Sequence, residues 1–546
     1  MKKLILLLAV LCIAFTASVC SSAAESESGG SEESGASQKA FSHEFSEQTT
    51  WEKKKNSKFR VSYWTASAVY CSNPTHSAQQ SLTLYVPEAY IRDDGTLDTS
   101  ASVEGYTVET APIIYWNSHG SYVGMAPFGI AGLSTRSTQK GWVLDMISHG
   151  FVVCMAGERG KQTTTEDGSV IGRGPIAIAD LKAGVRFLKH NSAVIPGNTD
   201  RIVSVGTSSG GAMSALLGAS GNSEYYTPYL EEMGAVMDET DDVFATMAYC
   251  PITDLPHADY AYEWMFGEDT EGLDDFQKAL SARLRAEYAS YVNNMGLTDE
   301  AGNPLTIPED GSKSGSYYEW LAGKYEASFE DYAQRFETDY QGSATFANAG
   351  AADAEELSRL TYDAAAGKAT LVTPEGYDSA LDAMILSGFR SRQKSVTSFD
   401  SLSPVGTDND VFGVQGTKAD DPASARHFNQ RIAELIDEMK DAFPDEYAQY
   451  YEAFYADSHN AEVEEWSVYL NAYSFLTGEA ASDVSPHFRI NMGVCDADTA
   501  TAVSGTLALL LMKNGVDTEF NIRWGWGHND CDTPTGLMDW VYAICE

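Results

Sequence analysis

Residues 201–220 read RIVSVGTSSGGAMSALLGAS. The apolar run RIVSV meets a cluster of glycine and serine, and a small-residue run with helical character starts at once. A strand that becomes a helix within a few residues has to turn sharply. Gly206-Thr207-Ser208-Ser209-Gly210 fits G-x-S-x-G, the pattern of a nucleophile elbow, in which that turn lifts one serine above the sheet edge. The glycines let the backbone pass close to its neighbours. The register places Ser208 at the tip and leaves Ser209 to offer its backbone N–H, one half of an oxyanion hole. The bare pattern also fits a Gly/Ser turn closing a helix–sheet junction, so the neighbouring segments have to decide.

Outward from this turn the chain alternates strand and helix. SLTLYVPEAY (81–90), APIIYWNSHG (111–120) and FVVCMAG (151–157) are strand-like. GWVLDMISHG (141–150) and PIAIADLKAGVRFLKHN (175–191) space their apolar residues three or four apart, as helices do. This β–α–β rhythm predicts an α/β fold: a mostly parallel sheet with helices on both faces. The rhythm stops after AYCPITD (248–254). A helical, acidic, Tyr-rich stretch runs to about residue 473, and strands return at FRINMGVCDAD (488–498) and TEFNIRW (518–524). The expected division is a core of 51–249 and 474–546 with a helical lid or insert at 250–473.

A serine nucleophile needs a base, and the base needs an orienting acid. At an elbow of this kind they follow in the order Ser, Asp/Glu, His. Asp496 directly follows the apolar run INMGVC, and His528 lies among glycines after the next strand. A helix-like run (499–514) separates them, so both loops fall at the sheet edge that carries Ser208. Taken singly, Asp496 is a good helix N-cap and His528 an ordinary loop histidine. Three suitable residues in order at successive strand ends favour a catalytic set. The second oxyanion donor is expected in the loop after the strand at 111–117, from the N–H of Ser121 or of Gly120. His119 is expected to be structural, since the base is already assigned.

The chain has 546 residues and a net charge of −42, which argues against nucleic-acid or anionic-membrane partners. Lys2 and Lys3 precede an apolar stretch from Leu4 to about Phe15, the form of a secretory signal over residues 1–20. A Ser/Glu/Gly linker is expected over 21–50. Cys20 sits where a lipoprotein would carry its lipid, so simple secretion and a lipid anchor on Cys20 both stay open. Six scattered cysteines follow, Cys71, Cys154, Cys250, Cys495, Cys531 and Cys545, with no CxxC pair. No zinc site is expected, and if a disulfide forms, Cys531 with Cys545 is the candidate.

The stretches GTSSGGAMSALLGASGN, YTPYLEEMGA and AYCPITDLPHADYAYEW, with GERGKQTTTEDG and the helix at 175–191, resemble bacterial tannases over most of the chain from about residue 60. The resemblance implies an α/β-hydrolase core, a large inserted lid, no cofactor or metal, and hydrolysis of galloyl esters through an acyl-enzyme. It also implies three contacts to the ring hydroxyls: Lys394 in RSRQKSVTSFD, Asp408 in TDNDVFG, and Asp498 two residues beyond Asp496. The family pattern has a glutamate where this chain has Asp408. A feruloyl or other aryl or carbohydrate esterase on the same fold is the alternative. A hydrolase-like surface binding protein is the alternative of another class, which the complete triad disfavours.

Overall fold

Every residue of Pro112–Asn117 is buried, and the side chains divide between two cores. Ile113 and Tyr115 join one hydrophobic cluster, Ile114 and Trp116 the other. Successive side chains of a strand point to opposite faces, so this strand has apolar layers on both sides. That is the reason for its unbroken hydrophobic run. The computed structural model describes residues 41–546 except 118, 131–136, 268–269, 271, 336–359, 364–367, 372–395, 407, 419–420, 422–423, 430, 495, 497, 525 and 534.

The main sheet has nine strands. In chain order they are β1 (Glu52–Asn56), β2 (Val61–Val69), β3 (Ser81–Pro87), β4 (Pro112–Asn117), β5 (Val152–Ala156), β6 (Asn198–Thr207), β7 (Ala245–Tyr249), β8 (His487–Gly493) and β9 (Asp517–Arg523). Across the sheet they run β1-β2-β3-β5-β4-β6-β7-β8-β9. The pairs from β5 to β9 are parallel, and the β1-β2-β3 edge is antiparallel down to β5. One face is covered by the helices Ile176–His190, Ser209–Ala219 and Thr501–Lys513. The other is covered by Ser137–Ser148 and Gly536–Cys545. This is an α/β-hydrolase fold. The chain leaves β4 toward β5 on one side and reaches β6 on the other, so the carboxyl ends of β4 and β6 flank the crevice where such sheets hold ligands.

Residues 250–486, between β7 and β8, carry most of the remaining helices, among them Ala258–Phe266, Asp275–Asn294, Gly315–Arg335 and Pro444–Ser458. They pack on the core through tyrosines, whose rings are apolar and whose tips are polar. Tyr317 OH meets Thr506 Oγ1 at 2.8 Å, and Tyr325 OH meets Thr501 Oγ1 at 2.7 Å, both along the helix Thr501–Lys513. Residues Ser42–Glu546 form one compact unit.

Three features depart from the sequence expectations. Residues 42–50, expected in the linker, are anchored to the core through Phe45, which is buried and whose N–H donates to Asn191 Oδ1 at 2.8 Å. The insert is not wholly helical, since Leu360–Asp363 pairs antiparallel with Lys368–Leu371. Cys531 and Cys545 lie in different cores, on opposite faces of the sheet, which excludes their pairing.

Candidate active site

β6 ends at Thr207 and the next helix is Ser209–Ala219, so a single residue, Ser208, makes the turn. It does so at φ 64° and ψ −127°, a conformation that costs a side-chain-bearing residue about 1–3 kcal/mol. Its surroundings hold it there. Ser208 N–H donates to Tyr249 O at 2.9 Å, and its carbonyl accepts from Ala212 N at 3.0 Å and Ile252 N at 3.3 Å. The glycines of the motif meet a packing demand. A Cβ on Gly206 would stand 2.2 Å from Gly210 O, and one on Gly210 would stand 2.6 Å from Asn117 Oδ1 and 2.7 Å from His119 O.

Ser208, His528 and Asp496 come together as one hydrogen-bonded chain. Ser208 Oγ lies 2.7 Å from His528 Nε2, and His528 Nδ1 lies 3.0 Å from each carboxylate oxygen of Asp496. This order holds the imidazole in the tautomer that can accept the serine proton. The Asp496 side chain is fully buried, and its Oδ1 also accepts the N–H groups of Asp498 (2.8 Å) and Thr499 (2.9 Å). Burial works against an imidazolium at His528, but the Asp496 carboxylate outweighs it, so the histidine pKa stands well above its ordinary value. Burial likewise opposes the Asp496 carboxylate, and His528 reverses the sign and holds that pKa low. The loop carrying His528 is pinned from below: buried Asp532 accepts from Tyr249 OH at 3.2 Å and pairs with Arg489 at 3.2 Å.

The loop after β4 turns through Ser121 (φ 51°) and Tyr122 (φ 55°), two consecutive left-handed residues. Tyr122 N–H donates to Ser209 Oγ at 3.0 Å, and Tyr122 OH donates to Ile252 O at 2.8 Å, which fastens the loop beside the elbow. With the Tyr122 N–H so occupied, the Ser121 N–H remains without a hydrogen bond among the described residues. The Ser209 N–H begins a helix, where no carbonyl four residues back is available to it. The Ser209 N–H is next to Ser208 in the chain, and the Tyr122–Ser209 bond ties the residue after Ser121 to the elbow. His119 is buried with Nδ1 3.1 Å from Glu158 Oε1, and burial lowers its pKa to about 3, so it is a neutral structural member of this loop.

Asp408 and Asp498 both lie in the electrostatic neighbourhood of Tyr262, on the helix Ala258–Phe266, as does Asp496. Asp408 is buried, and the Asp498 carbonyl accepts from Tyr262 OH. Lys394 lies outside the described residues. One cation was not singled out from the sequence: buried Lys161, whose N–H donates to Tyr122 O at 2.9 Å and whose ammonium faces Asp408 and Asp410. Nothing local in GERGKQ marks it, because the carboxylates it faces lie in the insert. The side chain of Ser209 was also missed, because only its backbone enters the elbow pattern. Among the described residues, metal-ligating atoms converge at Cys250, Asp496 and His528, within 4.8 Å of one another. His528 Nδ1 is already committed to Asp496 there, so an ion would break the serine–histidine–aspartate chain.

Residues 139–308 match the BD-FAE protein family. Among solved structures, the chain is similar to the tannin acyl hydrolase from Lactobacillus plantarum, at 30% identity and a TM-score of 0.71, covering 92% of this chain and 98% of that one. The tannase of Fusobacterium nucleatum is 28% identical with a TM-score of 0.69, over 91% of this chain and 98% of its own. A tannin acyl hydrolase solved in complex with ethyl gallate is 30% identical over 92% of this chain and 98% of that chain, with a TM-score of 0.71. No curated protein matches.

Proposed function

This chain belongs to the tannase family of carboxylic ester hydrolases, and from that premise we propose that it cleaves galloyl esters by a serine mechanism centred on Ser208. Ser208 Oγ attacks the ester carbonyl while His528 Nε2 takes its proton, and Asp496 orients and stabilises the imidazolium that forms. The N–H groups of Ser209 and Ser121 hold the oxyanion. His528 returns the proton to the departing alcohol, and water then releases gallate from the acyl-enzyme by the same steps in reverse order. The observation that carries this proposal is the 2.7 Å contact of Ser208 with His528, at an elbow where Ser208 holds a left-handed φ of 64°.

In the same proposal the ring hydroxyls are held by Asp498, Asp408 and Lys394. Carboxylates accept from phenolic O–H groups and an ammonium donates to them. A ring without hydroxyls would leave these groups desolvated and unpaired, at about 1–3 kcal/mol per lost contact. The test is kcat/KM for methyl gallate, methyl ferulate and methyl benzoate. Methyl gallate is expected to be fastest by a wide margin, and Asp498→Ala to shrink the gallate-to-benzoate ratio by lowering the gallate rate. A preference for methyl ferulate would point to the alternative aryl esterase. A ratio unchanged in Asp498→Ala would remove that residue from the ring site.

We also place the protein outside the cell, on the strength of Lys2, Lys3 and the apolar stretch from Leu4 to about Phe15. Fractionation with mass analysis of the mature N-terminus tests this. It also separates simple secretion from lipidation of Cys20.

A further inference from the structure

Directly beneath the catalytic histidine lie two thiols that the esterase chemistry does not use. Cys250 and Cys531 are both fully buried, and their sulfurs are 3.3 Å apart. Cys250 terminates β7 with φ 45°, and its backbone is a junction. Its N–H donates to Asn491 O on β8 at 2.8 Å, and its carbonyl accepts from Thr499 Oγ1 at 3.1 Å, beside Asp496. The residue before it, Tyr249, accepts the Ser208 N–H. Cys531 sits three residues after His528 and turns its sulfur back under that loop, 3.2 Å from Gly527 O and 3.0 Å from Asn529 O. The elbow, the Asp496 loop and the His528 loop therefore all meet at this pair.

We propose that Cys250 and Cys531 form a disulfide when the protein folds under oxidising conditions, and that the bond clamps the His528 loop to the strand end behind the elbow. An S–S bond is about 2.0 Å long, so the sulfurs need to approach by little more than an ångström. The oxidant is a low-mass or protein disulfide, as found in exporting compartments. One cysteine thiolate attacks it, forming a mixed disulfide and releasing one thiolate of the oxidant. The second cysteine, after losing its proton, attacks the protein sulfur of that mixed disulfide and releases the other. Two electrons and, through solvent, the two cysteine protons pass to the oxidant, which ends as two thiols. The finished site is closed to bulky reagents, and burial pushes the Cys250 thiol pKa up. The bond therefore forms during folding and resists reduction afterwards.

The test compares protein exported to an oxidising compartment with protein made in a reducing cytoplasm and kept in dithiothreitol. The protein is unfolded in denaturant with excess N-ethylmaleimide, so that buried free thiols are blocked, before digestion without reductant. A Cys250–Cys531 cross-linked peptide is expected in the exported protein and not in the reduced protein. The apparent Tm of the exported form is expected to be higher by several degrees. Cys531→Ser is expected to fold, because its hydroxyl can donate to the same carbonyls, and to lose both the cross-link and the redox-dependent Tm difference. Cys545→Ser is expected to keep both. Two free, alkylated thiols in exported active enzyme would overturn the proposal, as would a link from either residue to Cys495 or Cys545. A cross-link that leaves Tm unmoved, or a Tm difference that survives in Cys531→Ser, would overturn the clamp.

Discussion

Besides the oxyanion role proposed for its backbone N–H, Ser209 makes a side-chain bridge. Its hydroxyl accepts from Tyr122 N at 3.0 Å and approaches His119 O at 3.4 Å, so it joins the elbow to the loop that carries Ser121. The motif suggested the backbone role and not the bridge, because a side-chain contact to a loop 87 residues away has no local signature. Ser209→Ala strands a buried N–H, at about 1–3 kcal/mol, and loosens one oxyanion donor. It is expected to lower kcat on the order of tenfold to a hundredfold, measured on a galloyl ester; an unchanged kcat would show the bridge to be idle. At His528 the sign of the pH effect follows from its raised pKa. The base works only when neutral, so kcat/KM is expected to fall on acidification through a midpoint above the ordinary histidine value of about 6.5. Asp496→Asn removes the carboxylate that raises this pKa and leaves the burial that lowers it. The midpoint is then expected to move to lower pH while the plateau drops on the order of 10³–10⁴-fold. A pH–rate profile whose midpoint stays or rises in Asp496→Asn would contradict the assignment of the pair.

The elements that position Ser208, Asp496 and His528 were legible because β6 and β8 run into their turns through buried residues and all three turns carry glycine. β9 is a partly exposed edge strand but still carries apolar residues. RIVSVGTSSGG, INMGVCDAD and IRWGWGHND each end an apolar run at one sheet edge, and the structure puts the three loops there. The antiparallel edge was not legible. EKKKN in β1 is exposed along most of its length, and β2 alternates small residues with weakly buried ones, so neither gives a strong strand pattern. The roles of the motif glycines were anticipated, but their strictness comes from tertiary contacts with Asn117 and His119. Gly210→Ala drives a methyl into the backbone carbonyl of His119 as well as the Asn117 amide. It is expected to destabilise the protein by about 1–3 kcal/mol and to lower activity by displacing the loop that holds Ser121. Thermal unfolding alongside ester turnover checks this. A Gly210→Ala enzyme as stable and active as wild type would show that the close approach is not needed.

Over the whole molecule, the order of α/β core, long insert and returning strands was readable from where the β–α rhythm stops and resumes. Which residues of the insert meet the core was not. Asp408 and Lys161 come from segments far apart in the chain, and only the fold brings them to each other. The cysteines teach the same lesson. Cys531 and Cys545 are neighbours in sequence, but the helix Gly536–Cys545 carries the second to the other face of the sheet, while Cys250 arrives beside Cys531 from the end of β7. Every loop of the proposed site serves one atom, Ser208 Oγ, and removing it is the most direct challenge. The measurement is kcat/KM for methyl gallate in wild type and in Ser208→Ala, with circular dichroism to verify that both are folded. A loss on the order of 10⁵–10⁶-fold is expected; a folded Ser208→Ala enzyme that keeps turnover within about tenfold of wild type would contradict a serine mechanism at this residue.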